Sequence, residues 1–145
     1  MSCFTAPSQT LNLSMIFVDT SAWYAAIIPS DENHKAVSEW LDENTEPLIT
    51  TDYIVDETLT LLRARGESKR ALLMGERFFE SKMVEVYLLT EADLIETWQV
   101  FRRYDDKEWS FTDCSSKVVM EALGVTKALA IDRHFKQFGS IEVLP

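Results

Sequence analysis

The chain has 145 residues, of which 46% are apolar, while glycine and proline contribute only four residues each. This length suits one domain with an ordinary core, and the composition excludes a disordered chain and predicts mostly regular structure with short turns. The net charge of −10 argues against a basic surface that holds nucleic acid non-specifically, but it is compatible with a site at which metal ions supply the local positive charge.

Strands and helices alternate along the chain from residue 15 onward. In chain order, the patterns predict a strand at 16–18, a helix capped by Thr20 or Ser21 that runs through Ala26, a helix at 34–44, a strand at 47–49, helices at 53–65 and 69–81, a strand at 83–88, a helix at 91–104, a polar loop at 105–112, a helix at 113–123, a strand at 128–131, a short helix at 133–137 and a strand at 141–144. This alternation predicts an α/β fold of three layers, with a central parallel sheet between helices.

Residues 1–14 differ from the rest of the chain because they are polar and lack apolar periodicity. Met15 directly precedes the first predicted strand and is a plausible alternative start. We therefore expect an irregular N-terminal extension at 1–14 and one folded domain at 15–145.

The sequence also predicts where the protein works. Neither Cys3 nor Cys114 belongs to a Cys-x-x-Cys pair, no secretory signal is visible at the start, and no segment reaches transmembrane length. We therefore expect a reduced, cytoplasmic protein that does not enter a membrane.

Three aspartates lie at the ends of predicted strands or at the start of a helix. Asp19 follows the first strand, Asp132 follows the strand at 128–131, and Asp113 begins the helix after the polar loop. Sites of parallel α/β sheets form beyond the carboxyl ends of the strands, so these side chains are candidates to meet there. An aspartate before a helix is also a good N-cap, and for each aspartate alone capping explains the residue at least as well as catalysis.

Glu57 is a more specific indication of a site. It lies inside the helix at 53–65, beside the apolar face, and its neighbours three and four positions away are not basic, so no local ion pair accounts for it. Asp56 competes for the same role. The alternative is that Glu57 lies at the edge of the core with its carboxylate in water.

A cluster of carboxylates needs a compensating cation, because like charges repel and raise each other's pKa. An all-oxygen site suits Mg²⁺ or Mn²⁺, and two such ions can activate water and stabilise the leaving oxygen of a phosphodiester. No histidine or cysteine cluster favours zinc, and we interpret the isolated His34 and His134 as surface residues.

Four short motifs in this order resemble the PIN-domain family, and specifically the VapC toxins of VapBC toxin–antitoxin pairs. The motifs are Ile-Phe-Val-Asp-Thr-Ser at 16–21, Asp-Glu-Thr-Leu at 56–59, Phe-Thr-Asp at 111–113 and Ala-Ile-Asp-Arg-His-Phe at 130–135. Each motif is weak alone, but all four at this spacing are strong together, and the resemblance covers residues 15–145.

The resemblance implies a PIN domain with a central parallel sheet and an endoribonuclease activity that depends on Mg²⁺ or Mn²⁺. It carries the catalytic and metal-binding roles onto four acids, Asp19, Glu57, Asp113 and Asp132. It gives a supporting role to Ser21 beside the first acid and to Thr112 beside the third. It also implies RNA as substrate, a homodimer, and an antitoxin partner whose tail places a basic side chain among the acids.

Two features depart from the family pattern. Many relatives carry another acid or an asparagine near the third acid, where this chain has Cys114, Ser115 and Ser116. Relatives also tend to begin at the first strand, without an extension. Neither departure removes one of the four acids.

Other protein classes fit the sequence less well. A receiver-type phosphoacceptor domain needs paired acids after the first strand and a lysine after a late strand, but Thr20 follows Asp19 and Arg133 follows Asp132. A haloacid-dehalogenase-type phosphatase needs a second aspartate at the position of Ser21. A PIN domain that only binds is expected to lack some of the acids. A PIN nuclease of RNA processing, without an antitoxin, stays open.

Two basic clusters flank the acids and are candidates for phosphate contacts, although surface solvation explains them equally well. They are Arg102, Arg103 and Lys107 before Asp113, and Arg133, His134 and Lys136 after Asp132.

Overall fold

The computed structural model describes residues 15–80 and 82–145, so the predicted extension at 1–14, with Cys3, lies outside the described residues. The elements are β1 (Ile16–Val18), α1 (Thr20–Ile27), α2 (His34–Glu43), β2 (Leu48–Thr51), α3 (Asp52–Ala64), α4 (Ser68–Glu80), β3 (Glu85–Tyr87), α5 (Glu91–Arg103), α6 (Phe111–Leu123), β4 (Lys127–Leu129), a 3₁₀ helix (Arg133–Phe138) and β5 (Glu142–Leu144). Within these ranges, no helix has the length and apolar character needed to cross a bilayer.

The strands form one parallel sheet in the order β3-β2-β1-β4-β5. Strands β2 and β3 lie on one side of β1, and strands β4 and β5 lie on the other side. The strand order therefore reverses between β1 and β4. Open α/β sheets form their sites at such a switch point, beyond the carboxyl ends of the strands. Receiver-type domains have the order 2-1-3-4-5, so the sheet excludes that alternative.

The central strand β1 is short, and all of its residues are apolar and buried. Ile16, Phe17 and Val18 are at most 1% exposed, as expected for a parallel strand covered on both faces. Trp23 of α1 meets Phe78 of α4 edge to face, with ring centroids 5.3 Å apart. This contact joins α1 to α4.

The predicted α/β architecture is confirmed, and the predicted helix at 53–65 ends as expected before Gly66, which has a φ of +78°. The predictions for β3 and β4 are too long. The flanking residues Val84 and Ala130 are buried but lie outside the paired segments, so apolar character alone overestimates strand length.

Two predicted helix starts are wrong. The cap of α1 is Asp19 rather than Thr20 or Ser21. Helix α6 begins at Phe111 with Ser110 as its cap, so Asp113 lies in the first turn instead of starting the helix.

Candidate active site

Asp19 and Ser21 connect the end of β1 with the segment that follows β4. Asp19 Oδ2 accepts hydrogen bonds from Ser21 N at 3.2 Å and from Ser21 Oγ at 2.7 Å, which caps α1. Ser21 Oγ in turn accepts hydrogen bonds from the backbone N–H groups of Ile131 at 2.9 Å and Asp132 at 3.2 Å. One hydroxyl therefore holds Asp19 and Asp132 at the same point of the sheet edge.

Asp19 is deeply buried, with 3% of its surface exposed. The pKa of Asp19 is raised from 3.8 to about 7, chiefly by this burial and to a smaller extent by the charges of Asp113 and Glu57, while the hydrogen bonds from Ser21 oppose the shift. Asp113 and Glu57 are therefore close enough to Asp19 for their charges to raise its pKa. A cation beside Asp19 would favour its charged form.

Asp113 is positioned by the first turn of α6. Its backbone N–H donates to Ser110 Oγ at 3.0 Å, and its Oδ2 accepts from Ser110 N at 3.0 Å, which together form a capping box. The residue is 7% exposed. Helix α6 thus presents a buried carboxylate whose place is fixed by the cap.

Asp132 is the N-cap of the 3₁₀ helix after β4. Its Oδ1 accepts from His134 N at 2.9 Å, and the ring Nδ1 of His134 lies 3.3 Å from the same oxygen and 2.9 Å from Asp113 Oδ2. The facing atoms of Asp113, Asp132 and His134 all lie within 4.8 Å of one another, a spacing suited to one metal ion. His134, at the start of the 3₁₀ helix, therefore contacts both Asp113 and Asp132.

Glu57 completes the cluster from α3. Burial raises its pKa, a hydrogen bond with Thr20 lowers it, and the charges of Asp113 and Asp132 raise it again. Thr20 is itself buried, and its hydroxyl accepts a hydrogen bond from Thr58 at 3.4 Å. The competing Asp56 is exposed and lies within 3.5 Å of the hydroxyl of Thr60 on its own helix, so Glu57 is the acid of this pair that faces the site.

The three aspartates share one arrangement of hydrogen bonds. Among the described residues, protein donors reach only Oδ2 of Asp19, Oδ2 of Asp113 and Oδ1 of Asp132. No described residue donates a hydrogen bond to the second oxygen of each carboxylate. Capping and convergence therefore occur together and are not alternatives here.

The neighbours of Asp113 in the sequence do not add a metal ligand. Thr112 accepts hydrogen bonds through its backbone carbonyl from the hydroxyls of Ser115 at 2.7 Å and Ser116 at 3.1 Å. Burial, followed by the charge of Asp113, raises the pKa of the Cys114 thiol to about 11. A protonated thiol and two hydroxyls satisfied by backbone are poor metal ligands.

The interpretation of His134 as an isolated surface residue is wrong, because its side chain is only 16% exposed and contacts two of the acids. His34 is also partly buried, and its Nδ1 lies 2.8 Å from the carbonyl oxygen of Ala25. The sequence does not reveal the contact of His134 with Asp113, because the two residues are 21 positions apart and meet only in the folded chain.

The arginines and lysines of the two basic clusters are exposed. Arg102 donates to Gln99 at 2.8 Å, Lys107 lies 3.8 Å from Asp106, and Arg133 pairs with Glu108 at 2.9 Å. These contacts are exposed and weakly stabilising, so the basic side chains are free to exchange them for phosphates.

Comparison with known proteins gives consistent matches over nearly the whole chain. Residues 16–140 match the family described as PIN domain. The 23S rRNA-specific endonuclease VapC20 of Mycobacterium tuberculosis is 36% identical over 132 residues, which cover 90% of this chain and 99% of the relative. Ribonuclease VapC26 of the same organism is 25% identical over 123 residues, which cover 83% of this chain and 89% of the relative.

Solved structures give the same result for the fold. The crystal structure of VapC20, described as a sarcin-ricin loop cleaving toxin, has a TM-score of 0.83 at 32% identity and covers 90% of this chain and 99% of its own. A DNA-bound VapBC from Salmonella typhimurium has a TM-score of 0.64 at 18% identity and covers 90% and 96%. The second match shows a shared fold.

Proposed function

The chain belongs to the PIN-domain family, and from that membership we propose that it is a metal-dependent endoribonuclease of the VapC type, the toxin of a toxin–antitoxin pair. The observation that carries the proposal is the convergence of four carboxylates, Asp19, Glu57, Asp113 and Asp132, at the switch point of the sheet. Family membership alone would not suffice, because function depends on the residues of the site.

The site fits a divalent cation on its own chemistry. Burial and the charges of neighbouring acids raise the pKa of Asp19 and of Glu57, Asp19 is almost fully buried, and each aspartate keeps an oxygen that no described residue engages. Oxygen ligands of this kind are those of Mg²⁺ and Mn²⁺, and we assign either ion to the four acids.

The side chains have distinct roles in this proposal. Asp19, Glu57, Asp113 and Asp132 would hold the divalent ions, whose chemistry would be to activate a water and to stabilise the leaving oxygen of the phosphodiester. Ser21 orients Asp19 by its hydrogen bond, Ser110 orients Asp113 through the cap of α6, and Thr20 orients Glu57. Thr112 would support the site from beside Asp113.

The substrate we propose is RNA, and 23S rRNA is the first target to test because the relative at 36% identity is named for it. The net charge of −10 leaves little affinity for RNA in general. Selectivity would then depend on a few basic side chains, such as Arg102, Arg103 and Lys136, together with the metal. We also propose a cytoplasmic location, because a ribosomal target would be found there.

We propose two protein partners. The first is an antitoxin with a basic tail, whose side chains complement the acids and the charge of −10. It has an apolar groove of about 620 Å³ available between α3 and α4, beside the exposed Leu72 and Phe79. The second is another copy of this chain, supported by the exposed apolar face of α5 at Ile95, Trp98 and Phe101.

The test is cleavage of rRNA in purified ribosomes by the purified chain, with RNA ends mapped by sequencing. We expect cuts with Mg²⁺ or Mn²⁺ and none with EDTA. Glu57→Gln should abolish cleavage, whereas Asp56→Asn, its exposed neighbour, should keep full activity. Undiminished cleavage in EDTA, or an active Glu57→Gln, would reject the proposed mechanism.

A further inference from the structure

His134 has no role in the function proposed above, although it lies among the acids. Its Nδ1 is 2.9 Å from Asp113 Oδ2 and 3.3 Å from Asp132 Oδ1. Its side chain is 16% exposed, compared with 9% for Asp113 and 31% for Asp132. The ring therefore lies inside the cluster rather than at its rim.

The fold holds this ring in place. His134 is in the first turn of the 3₁₀ helix, whose cap Asp132 accepts the His134 backbone N–H at 2.9 Å. The next residue, Phe135, is fully buried and packs on Phe17 of β1, with ring centroids 6.1 Å apart. The backbone on both sides of His134 is thus anchored to the cap and to the core.

Asp113, Asp132 and His134 are close enough together to bind one ion, since one ligand atom from each lies within 4.8 Å of the other two. Neighbouring ligands of an octahedral ion with bonds of about 2.1 Å are separated by about 3 Å. The two distances from Nδ1 bracket that value, at 2.9 Å to Asp113 Oδ2 and 3.3 Å to Asp132 Oδ1. Each of these oxygens accepts one backbone hydrogen bond and keeps a second lone pair for an ion. Nδ1 can bind a cation at the common point when the ring carries its proton on Nε2, because Nδ1 then offers a lone pair.

We propose, resting on the function proposed above, that His134 Nδ1 is a metal ligand together with Asp113 and Asp132, and that this nitrogen makes the site prefer Mn²⁺ to Mg²⁺. Imidazole is a good ligand for first-row transition ions, whereas Mg²⁺ is bound mainly by carboxylates, carbonyls and water. A site of four carboxylates alone would distinguish the two ions less.

The direct test is pulsed electron paramagnetic resonance of Mn²⁺ bound to the full chain, freed of any affinity tag. A coordinated imidazole gives a hyperfine coupling to its ¹⁴N nucleus, and carboxylates do not. The chain has two histidines, so His34→Asn leaves His134 as the only one and makes the assignment unambiguous. We expect the ¹⁴N coupling in the wild type and in His34→Asn, and its loss in His134→Asn.

The second readout is the affinity for each ion, measured by calorimetry. Asparagine can keep a hydrogen bond to Asp113 but lacks the ring nitrogen. We expect His134→Asn to weaken Mn²⁺ binding by roughly tenfold or more, the range seen when groups that support a metal are removed, and to change Mg²⁺ binding much less. His34→Asn should change neither affinity.

The outcomes separate this inference from the proposed function. Bound Mn²⁺ without ¹⁴N coupling, or an unchanged ratio of Mn²⁺ to Mg²⁺ affinity in His134→Asn, overturns the role of His134 and leaves the carboxylate site intact. If the wild type binds neither ion, both the inference and the proposed metal chemistry fail.

Discussion

Asp19 shows how one side chain serves both the fold and the site. Its Oδ2 caps α1 and bonds to Ser21, while its second oxygen is engaged by no described residue. Burial and neighbouring acids make its charged form costly without a cation. The same residue therefore stabilises a helix and has an unfavourable charged form, which a bound metal ion would stabilise.

This unfavourable charged form predicts a dependence of stability on pH in EDTA. The pKa of Asp19 is about 7 in the folded state, against an ordinary value of 3.8. Between these pH values the folded state retains a proton that the unfolded state has lost, so its stabilisation decreases as pH rises through the window. At roughly 1.4 kcal/mol per pKa unit, the upper limit is about 4 kcal/mol.

Asp19→Asn should remove most of this decrease, so the variant should be more stable than the wild type at pH 8 and closer to it at pH 5. Denaturant unfolding in EDTA at both pH values measures the difference. Asp56→Asn, an exposed acid, should follow the wild type. A variant at Asp19 whose stability decreases with pH as steeply as that of the wild type would show that the charged form of Asp19 is not unfavourable.

The sequence located the acids because three of them occupy positions that a parallel α/β fold brings together, at strand ends and in the first turn of a helix. It did not reveal His134, because the ring reaches Asp113 only through the return of the 3₁₀ helix. Nor did it reveal Thr20, whose contact with Glu57 joins two helices.

At the scale of elements, helices α5 and α6 both begin with a capping box. Thr90 and Asp93 form a capping box on α5, as Ser110 and Asp113 do on α6. Both acids are buried, at 8% and 7% exposure. Only the α6 box lies at the switch point of the sheet, so α5 provides an internal control for α6.

Ser110→Ala and Thr90→Ala should each cost about 1 kcal/mol of stability, the usual effect of losing an N-cap. Only Ser110→Ala should also lower cleavage, by roughly tenfold, because a small displacement of a catalytic group is costly. Unfolding and cleavage assays on both variants check this. Equal activities for the two would mean that the cap of α6 does not position Asp113.

These boxes also explain where the prediction of elements succeeded and where it did not. The Ser-x-x-Asp pattern at 110–113 places the cap at Ser110, and assigning the helix start to Asp113 overlooked it. Strand ends are harder, because Val84 and Ala130 are as apolar and as buried as paired residues. Their pairing depends on where the neighbouring strands end.

At the scale of the whole molecule, the net charge of −10 predicts an electrostatic partner. We expect a small protein with a basic tail to co-purify from the native host, to inhibit cleavage, and to bind more weakly as salt is raised. Arginine is the expected residue of the tail, since its planar group can bridge two carboxylates. Recovery of only free, fully active nuclease would contradict this.

The central claim, that the acids form one metal site, is tested most directly by Mn²⁺-dependent thermal stabilisation of two matched variants. Asp113→Asn and Asp93→Asn change the same position of two equivalent capping boxes. A metal that binds only the folded state raises its melting temperature. We predict that Mn²⁺ stabilises the wild type and Asp93→Asn to the same extent and Asp113→Asn much less. Full stabilisation of Asp113→Asn would contradict the account.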